Sequence, residues 1–86
     1  MQEIFHQKEY DAALYYYELA QSEEPDNEMI VYDMAYLHYL FNELQVAVDY
    51  FTLAIELKPD FELAIHNRAK LIEKIANLRK YSMVQM

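Results

Sequence analysis

Three histidines are the side chains in this sequence best suited to binding a metal ion, namely His6, His38 and His66. Zinc sites commonly use two neutral imidazoles one helical turn apart, or imidazoles close to a pair of carboxylates. These three are far apart in the chain and belong to different predicted helices. We therefore expect no metal and no other cofactor, and we expect His38 to be a packed, hydrogen-bonded residue.

Side chains that could act as nucleophiles are also few, because the sequence has no cysteine and its hydroxyls are limited to Ser22, Thr52 and Ser82 besides the tyrosines. Ser22 is followed by Glu23 and Glu24, which is typical of a helix junction, and no general base lies at a recognisable spacing. The acidic residues here favour the N-terminus of the helix that follows. The sequence therefore predicts a protein without enzymatic activity.

The net charge of −8 argues against two classes of partner, nucleic acids and anionic membranes, since both bind mainly to basic side chains. The charge is uneven: residues 1–61 carry thirteen acids and two bases, whereas residues 62–86 carry two acids and five bases. The first residues lack the pattern of a secretory signal, and no apolar run approaches the length of a membrane span. We expect a soluble, cytoplasmic protein.

An internal repeat organises the chain, because the pattern of Leu44–Pro59 also occurs 34 residues earlier. The matched pairs are Leu44 and Tyr10, Ala47 and Ala13, Val48 and Leu14, Phe51 and Tyr17, Ala54 and Ala20, Pro59 and Pro25, and Asp60 and Asp26. A fixed period of this length is typical of stacked helical repeats. Such proteins mostly bind other proteins through extended surfaces.

The periodicity of apolar residues, with no glycine in the chain, predicts an all-α fold of about five helices. Pro25 and Pro59 end two of them, Asp26 or Asn27 caps the next helix, and Asn42 supplies a left-handed turn. The predicted segments are a helical tail at 1–7, a turn at 7–9, and helices from Tyr10 to about Ser22, from Glu28 to Phe41, from Glu43 to Leu57 and from Phe61 or Glu62 to about Tyr81.

Each predicted helix has an apolar stripe, and alanines in several of them are expected where neighbouring helices meet most closely. In the second full helix the stripe is Val31, Met34, Ala35 and His38; in the last helix the apolar residues are Leu63, Ile65, Ala69, Ile72, Ile75, Ala76 and Leu78. The expected close-contact alanines are Ala13, Ala20, Ala35, Ala47, Ala54 and Ala69. Tyr17 and Phe51 are expected to fill the wider gaps.

These residues resemble the tetratricopeptide repeat, a helix–turn–helix unit of 34 residues. The second-helix signature occurs twice, as Tyr10-x-x-Ala13-x-x-x-Tyr17-x-x-Ala20-x-x-x-x-Pro25 and as Leu44-x-x-Ala47-x-x-x-Phe51-x-x-Ala54-x-x-x-x-Pro59. The resemblance implies antiparallel helix–turn–helix repeats stacked as a short right-handed α-solenoid. It divides a single domain, 1–86, into a partial repeat at 1–27, a complete repeat at 28–61, a final helix at 62–81 and a tail at 82–86.

In this family the first helices of the repeats line a concave face that binds ligands. The resemblance implies that the partner-binding residues here are Phe5, Met29, Tyr32, Tyr36, Tyr39, Leu40, His66 and Lys70, with His6, Leu63 and Lys74 beside them. The clamp that some members use to hold a carboxyl-terminal acidic peptide is not expected, because Asp33 stands where that clamp has an asparagine. A tyrosine-rich groove with a basic flank is the expected surface.

Two hypotheses follow for function. The first is a non-catalytic module that binds an extended or helical segment of a partner protein on the tyrosine-rich concave face. The second is a structural unit that self-associates, as a homodimer or head to tail, because the end repeats are incomplete and the two ends carry opposite charge.

Overall fold

The computed structural model describes residues 7–85, with side chains up to Ser82. The described residues form four α-helices and no strand, so the predicted all-α class is confirmed, and the helix count is one below the expected five. The helical tail expected at residues 1–7 lies almost entirely outside the described residues. The helices are α1 (Gln7–Glu23), α2 (Glu28–Leu40), α3 (Leu44–Leu57) and α4 (Glu62–Gln85).

Helix α1 begins earlier than the sequence predicts, because Gln7, Lys8 and Glu9 are its first turn and not a connecting turn. Nothing in these three residues breaks a helix, since glutamine, lysine and glutamate all have high helix propensity. The Gln7 amide also donates to the Asp11 carboxylate at 3.0 Å, one turn further on. The predicted turn is therefore wrong.

Three short connections turn each helix back towards its predecessor. The Asn27 side chain caps α2 by accepting from the backbone N–H groups of Met29 and Ile30, at 2.9 and 3.4 Å, which decides between the two predicted caps. Asn42 has φ of 61°, so the predicted left-handed turn after α2 is confirmed. Asparagine tolerates this conformation better than most residues, which matters in a chain without glycine.

The centre of the molecule is the pair α2 and α3, with α1 packed against α2 and α4 packed against α3. The predicted stripe of α2 is confirmed, since all four of its residues are buried. Phe51 is buried, whereas Tyr17 on α1 is half-buried. The largest apolar cluster consists of Val31, Ala35, Ala47, Val48, Phe51, Ala54, Phe61, Ala64 and Leu71.

The alanines divide into two groups. Ala35, Ala47 and Ala54 are buried as predicted, whereas Ala13 and Ala20 are half-buried. Ala69 was expected at a helix contact and is exposed, because no helix among the described residues packs against that side of α4. The close contact between α4 and α3 is made by Ala64, and Leu71 follows two turns later on the same side.

Helix α4 is longer and more exposed than predicted. It continues through Ser82 to Gln85, so the expected tail at 82–86 is helical as far as the structure describes it. No proline or glycine interrupts this stretch, which accounts for the extension. Within residues 7–85, none of the helices is long and apolar enough to cross a bilayer.

Candidate functional site

A cleft of about 400 Å³ lies between α2 and α4 and contains several of the predicted partner-binding residues. We call it the tyrosine–lysine cleft. One wall comes from α2, the other from α4, and buried residues of α3 and α4 form its floor. The lining residues are Tyr36, Tyr39, Phe51, Asn67, Lys70, Leu71 and Lys74.

The tyrosine wall belongs to α2. Tyr36 and Tyr39 are 48% and 38% exposed, and their ring centroids are 6.0 Å apart with the planes inclined by 36°. They are three residues apart, so successive turns of the helix place them side by side. Two large rings with few rotatable bonds offer a partner much contact area at a small entropic cost.

The opposite wall carries positive charge. Lys70 and Lys74 are four residues apart on α4, and both are exposed. The Lys74 ammonium lies 5.6 Å from the centroid of the Tyr39 ring, a cation–π distance that joins the two walls. Among residues 7–85 no acidic side chain lines the cleft, so this surface is locally basic in a chain whose net charge is −8.

Tyr32 occupies a more structural position than its predicted role implies. It is half-buried, and its ring contacts Phe51 and Phe61 with centroid distances of 5.5 and 5.2 Å. Its hydroxyl accepts a hydrogen bond from the Asn67 amide at 2.7 Å, which links α2 to α4 beside the cleft. Tyr32 therefore helps to hold α4 against α2 and α3.

The other predicted partner-binding residues lie around the cleft and do not line it. Met29 and Leu40 are exposed on α2, eleven residues apart and on the same side of the helix as Tyr36. His66 and Leu63 are exposed on α4. Phe5 and His6 lie outside the described residues.

Sequence reasoning missed Asn67 and the floor residues Phe51 and Leu71 as parts of this site. Asn67 precedes Lys70 by three residues and Lys74 by seven, so helical spacing already placed it beside the two lysines. Asp33, which spoke against a carboxylate clamp, is half-buried and does not line the cleft. Burial raises its pKa, and burial followed by the charge of Asp33 raises the pKa of Tyr17 on α1.

A second group of polar residues joins α1, α2 and the turn before α3. The Tyr10 hydroxyl donates to Glu43 Oε1 at 2.5 Å, and His38 Nδ1 lies 2.8 Å from the same oxygen. Tyr10 also packs on Phe41 with ring centroids 4.1 Å apart. His38 stacks on Tyr50 of α3 at 5.2 Å with the rings nearly parallel, so its predicted packed and hydrogen-bonded role is confirmed.

The electrostatics of this second group favour a structural role. Burial, and then the hydrogen bond to Glu43, raise the pKa of Tyr10 to about 12, so its phenol stays protonated at neutral pH. The hydrogen bonds from Tyr10 and His38 lower the pKa of Glu43. A carboxylate that accepts two hydrogen bonds holds three elements together. Across residues 7–85, no cluster of three or more histidine, aspartate or glutamate side chains could hold a metal ion.

Comparison of the chain with protein-family models, with curated proteins and with solved structures finds no match.

Proposed function

We propose that this chain is a non-catalytic interaction module that holds a segment of a partner polypeptide in the tyrosine–lysine cleft. The observation that carries this proposal is the pairing of two exposed tyrosines on α2 with two exposed lysines on α4, across a buried apolar floor. Tyrosine is one of the residues that most often carry the binding energy of a protein interface. The two lysines add electrostatic complementarity to a partner of opposite charge. A peptide offers side chains for both walls at once.

The proposal includes a tetratricopeptide-type stacking of the helices. Three features support it: the 34-residue repeat, the confirmed left-handed turn at Asn42, and the burial of Ala47 and Ala54 at the centre of the chain. In such a stack α2 and α4 are first helices of successive repeats and face the same concave side. The cleft lies between these two helices, as that stacking requires.

The chemistry of the cleft points to an acidic partner segment that also carries apolar or aromatic side chains. Lys70 and Lys74 attract carboxylates, while Tyr36 and Tyr39 bind apolar surface. The overall charge of −8 opposes an acidic ligand, but at physiological ionic strength charges more than about 8 Å away are largely screened. The nearby lysines therefore dominate at the binding surface.

A displayed library of random peptides is the probe that tests this function. Selection on the 86-residue chain should enrich acidic peptides with aromatic or aliphatic residues. The double variant Tyr36→Ala/Tyr39→Ala should weaken binding of the selected peptides by about tenfold or more, because truncating aromatic anchors typically costs more than 1 kcal/mol. Affinity is measured by fluorescence anisotropy, with helicity checked by circular dichroism.

The matched control is Tyr15→Ala/Tyr16→Ala, which removes two tyrosines that are 63% and 67% exposed on α1 and do not line the cleft. It should leave the affinity unchanged. A charge reversal at Lys70 and Lys74 should weaken acidic peptides most at low salt. The proposal fails if no peptide is enriched, or if the selected peptides bind the cleft variant as tightly as the wild type.

A further inference from the structure

The 34-residue repeat relates the outer side of α4 to the side of α2 that packs against α3. Moving back by one period places Ile65 on Val31, Ala69 on Ala35 and Ile72 on His38. The three residues of α2 are buried against α3, whereas Ile65 and Ile72 are 40% and 49% exposed and Ala69 is also exposed. We call the residues Ile65, Ala69 and Ile72 the α4 outer face.

Helix α1 likewise exposes residues whose counterparts one period later, in α3, are partly covered. By the same period, Tyr16 corresponds to Tyr50 and Leu19 to Leu53 of α3. The two residues of α3 are partly covered, and Tyr50 stacks on His38 of α2. On α1 the counterparts are 67% and 46% exposed. We call Tyr15, Tyr16 and Leu19, with Ala12 beside them, the α1 outer face.

We infer that the α4 outer face binds the α1 outer face of a second copy of this chain, so that the two helices repeat the packing of α2 on α3. In that arrangement Ile72 of one copy takes the place of His38, and Tyr16 of the second copy takes the place of Tyr50. Two surfaces that are each exposed in a single molecule then cover each other in a pair of helices from two copies. This interface is separate from the tyrosine–lysine cleft.

The charges of the two helices favour this pairing over pairing of like helices. Helix α1 carries four acidic side chains and one basic side chain, whereas α4 carries five basic and two acidic side chains. Contact between α4 and α4, or between α1 and α1, would bring charges of one sign together. Contact between α1 and α4 joins opposite charges, and raised salt should weaken it.

The two surfaces differ, so the interface is heterologous. Each copy that binds through α4 still has a free α1 outer face in the same molecule, and a third copy can add there. Association therefore proceeds head to tail, and the mean mass should rise steadily with concentration.

Sedimentation velocity over a wide concentration range tests the inference. The wild type should show a mass that increases with concentration. Ile72→Asp should weaken association by about tenfold or more, because it places a charge in an apolar contact. Leu63→Asp is the matched control, since it makes the same type of change at an exposed position on another side of α4. It should associate like the wild type.

A mixing experiment identifies which faces pair. Ile72→Asp removes the α4 outer face, and Leu19→Asp removes the α1 outer face, so each variant alone should stay monomeric. Mixed in equal amounts they should form a dimer that does not grow, because each supplies the surface that the other lacks. Should Ile72→Asp lose helicity by circular dichroism, Ile65→Asp takes its place in both experiments.

Several outcomes overturn the inference. If the wild type stays monomeric at all concentrations, the two faces do not bind a second copy of this chain. Leu19→Asp that dimerises alone indicates pairing of α4 with α4, and a mixture that stays monomeric excludes the α1–α4 contact. Because Tyr36→Ala/Tyr39→Ala should associate normally, failure here is distinct from failure of peptide binding.

Discussion

The central hairpin of α2 and α3 holds its two neighbouring helices by different means. Helix α1 is joined to it through a polar group, in which Tyr10 and His38 share the carboxylate of Glu43. Helix α4 is joined to it mainly through apolar contacts, with Ala64 and Leu71 packed into the cluster around Phe51. Hydrogen bonds from Asn67 to Tyr32 and from Arg68 to Thr52 add to these contacts. The first junction depends on direction and charge, and the second on buried area.

The difference decides how each junction responds to change. Apolar burial contributes roughly 25 cal/mol for each Å², and it depends little on pH. A hydrogen bond contributes a net ~1 kcal/mol, but leaving one partner buried and unsatisfied costs more. The apolar junction should therefore be sensitive to side-chain volume, and the polar junction to protonation.

The largest effect is expected from Ala54→Leu, which tests the apolar side of the comparison. Ala54 is fully buried in the cluster that α4 joins, so a larger side chain forces neighbours out of place. Overpacking of this kind costs about 1–3 kcal/mol. In a domain of this size each kcal/mol lowers the melting temperature by about 4–8 °C. Thermal unfolding followed by circular dichroism at low protein concentration measures it.

Ala76→Leu is the control, because Ala76 is exposed on α4 and the added volume meets solvent in the monomer that low protein concentration favours. Its stability should stay within about 0.5 kcal/mol of the wild type. Equal melting temperatures for Ala54→Leu and the wild type would contradict close packing at Ala54.

An intermediate effect is expected from Tyr10→Phe, which removes the hydroxyl from the polar junction and keeps the ring on Phe41. The lost hydrogen bond should reduce the free energy of unfolding by about 0.5–1.5 kcal/mol near neutral pH, as measured by urea unfolding. Tyr15→Phe, measured at a protein concentration low enough to keep the chain monomeric, is the control and should unfold like the wild type, because Tyr15 is exposed on the same helix.

The alkaline range gives this variant a second readout. Because the pKa of Tyr10 is raised to about 12 in the folded state, its contribution is complete below pH 10 and is lost as pH rises from 10 towards 12. The difference between wild type and Tyr10→Phe should shrink over that range. A difference that does not change with pH would show that the phenol is not held in this way.

The smallest effect is expected in acid. The folded-state pKa of Glu43 is lowered, so its contribution is present above its unfolded pKa of about 4 and is lost as pH falls below that value. Wild type should therefore lose stability relative to Glu43→Gln between neutral pH and pH 3. Burial raises the pKa of Asp33, so protonation of Asp33 in acid stabilises the fold, whereas protonation of Glu43 destabilises it. Asp33 is present in both proteins, so the difference between them reports on Glu43. Identical acid profiles would remove Glu43 from the junction's energetics.

Local signals made much of this fold predictable. The prolines fixed two connections, Asn42 marked the turn without glycine, and the stripe of α2 identified its buried side. These features depend on residues close together in the chain. The two tyrosines and two lysines that line the tyrosine–lysine cleft were expected on one face only because of the family resemblance.

Features that depend on distant residues were not predictable. Glu43 and Tyr10 are 33 positions apart, and no local pattern links them. Ala69 has the spacing of a contact residue, yet it is exposed because burial depends on whether a neighbouring helix is present. For the same reason the sequence does not show that Tyr32 contacts Phe61 and Asn67 and so helps to hold α4 in place.

The length of α4 has a consequence for how the molecule unfolds. Among the described side chains of α4, Leu71 is the last buried one and Ile75 is half-buried. Every side chain from Ala76 to Ser82 is exposed, although the helix continues to Gln85. Amide protons in that last stretch are protected only by the helix itself, whereas those near Leu71 are protected by the whole fold. The end of α4 should therefore unwind and re-form many times for each global unfolding event, and its amides should exchange with solvent first.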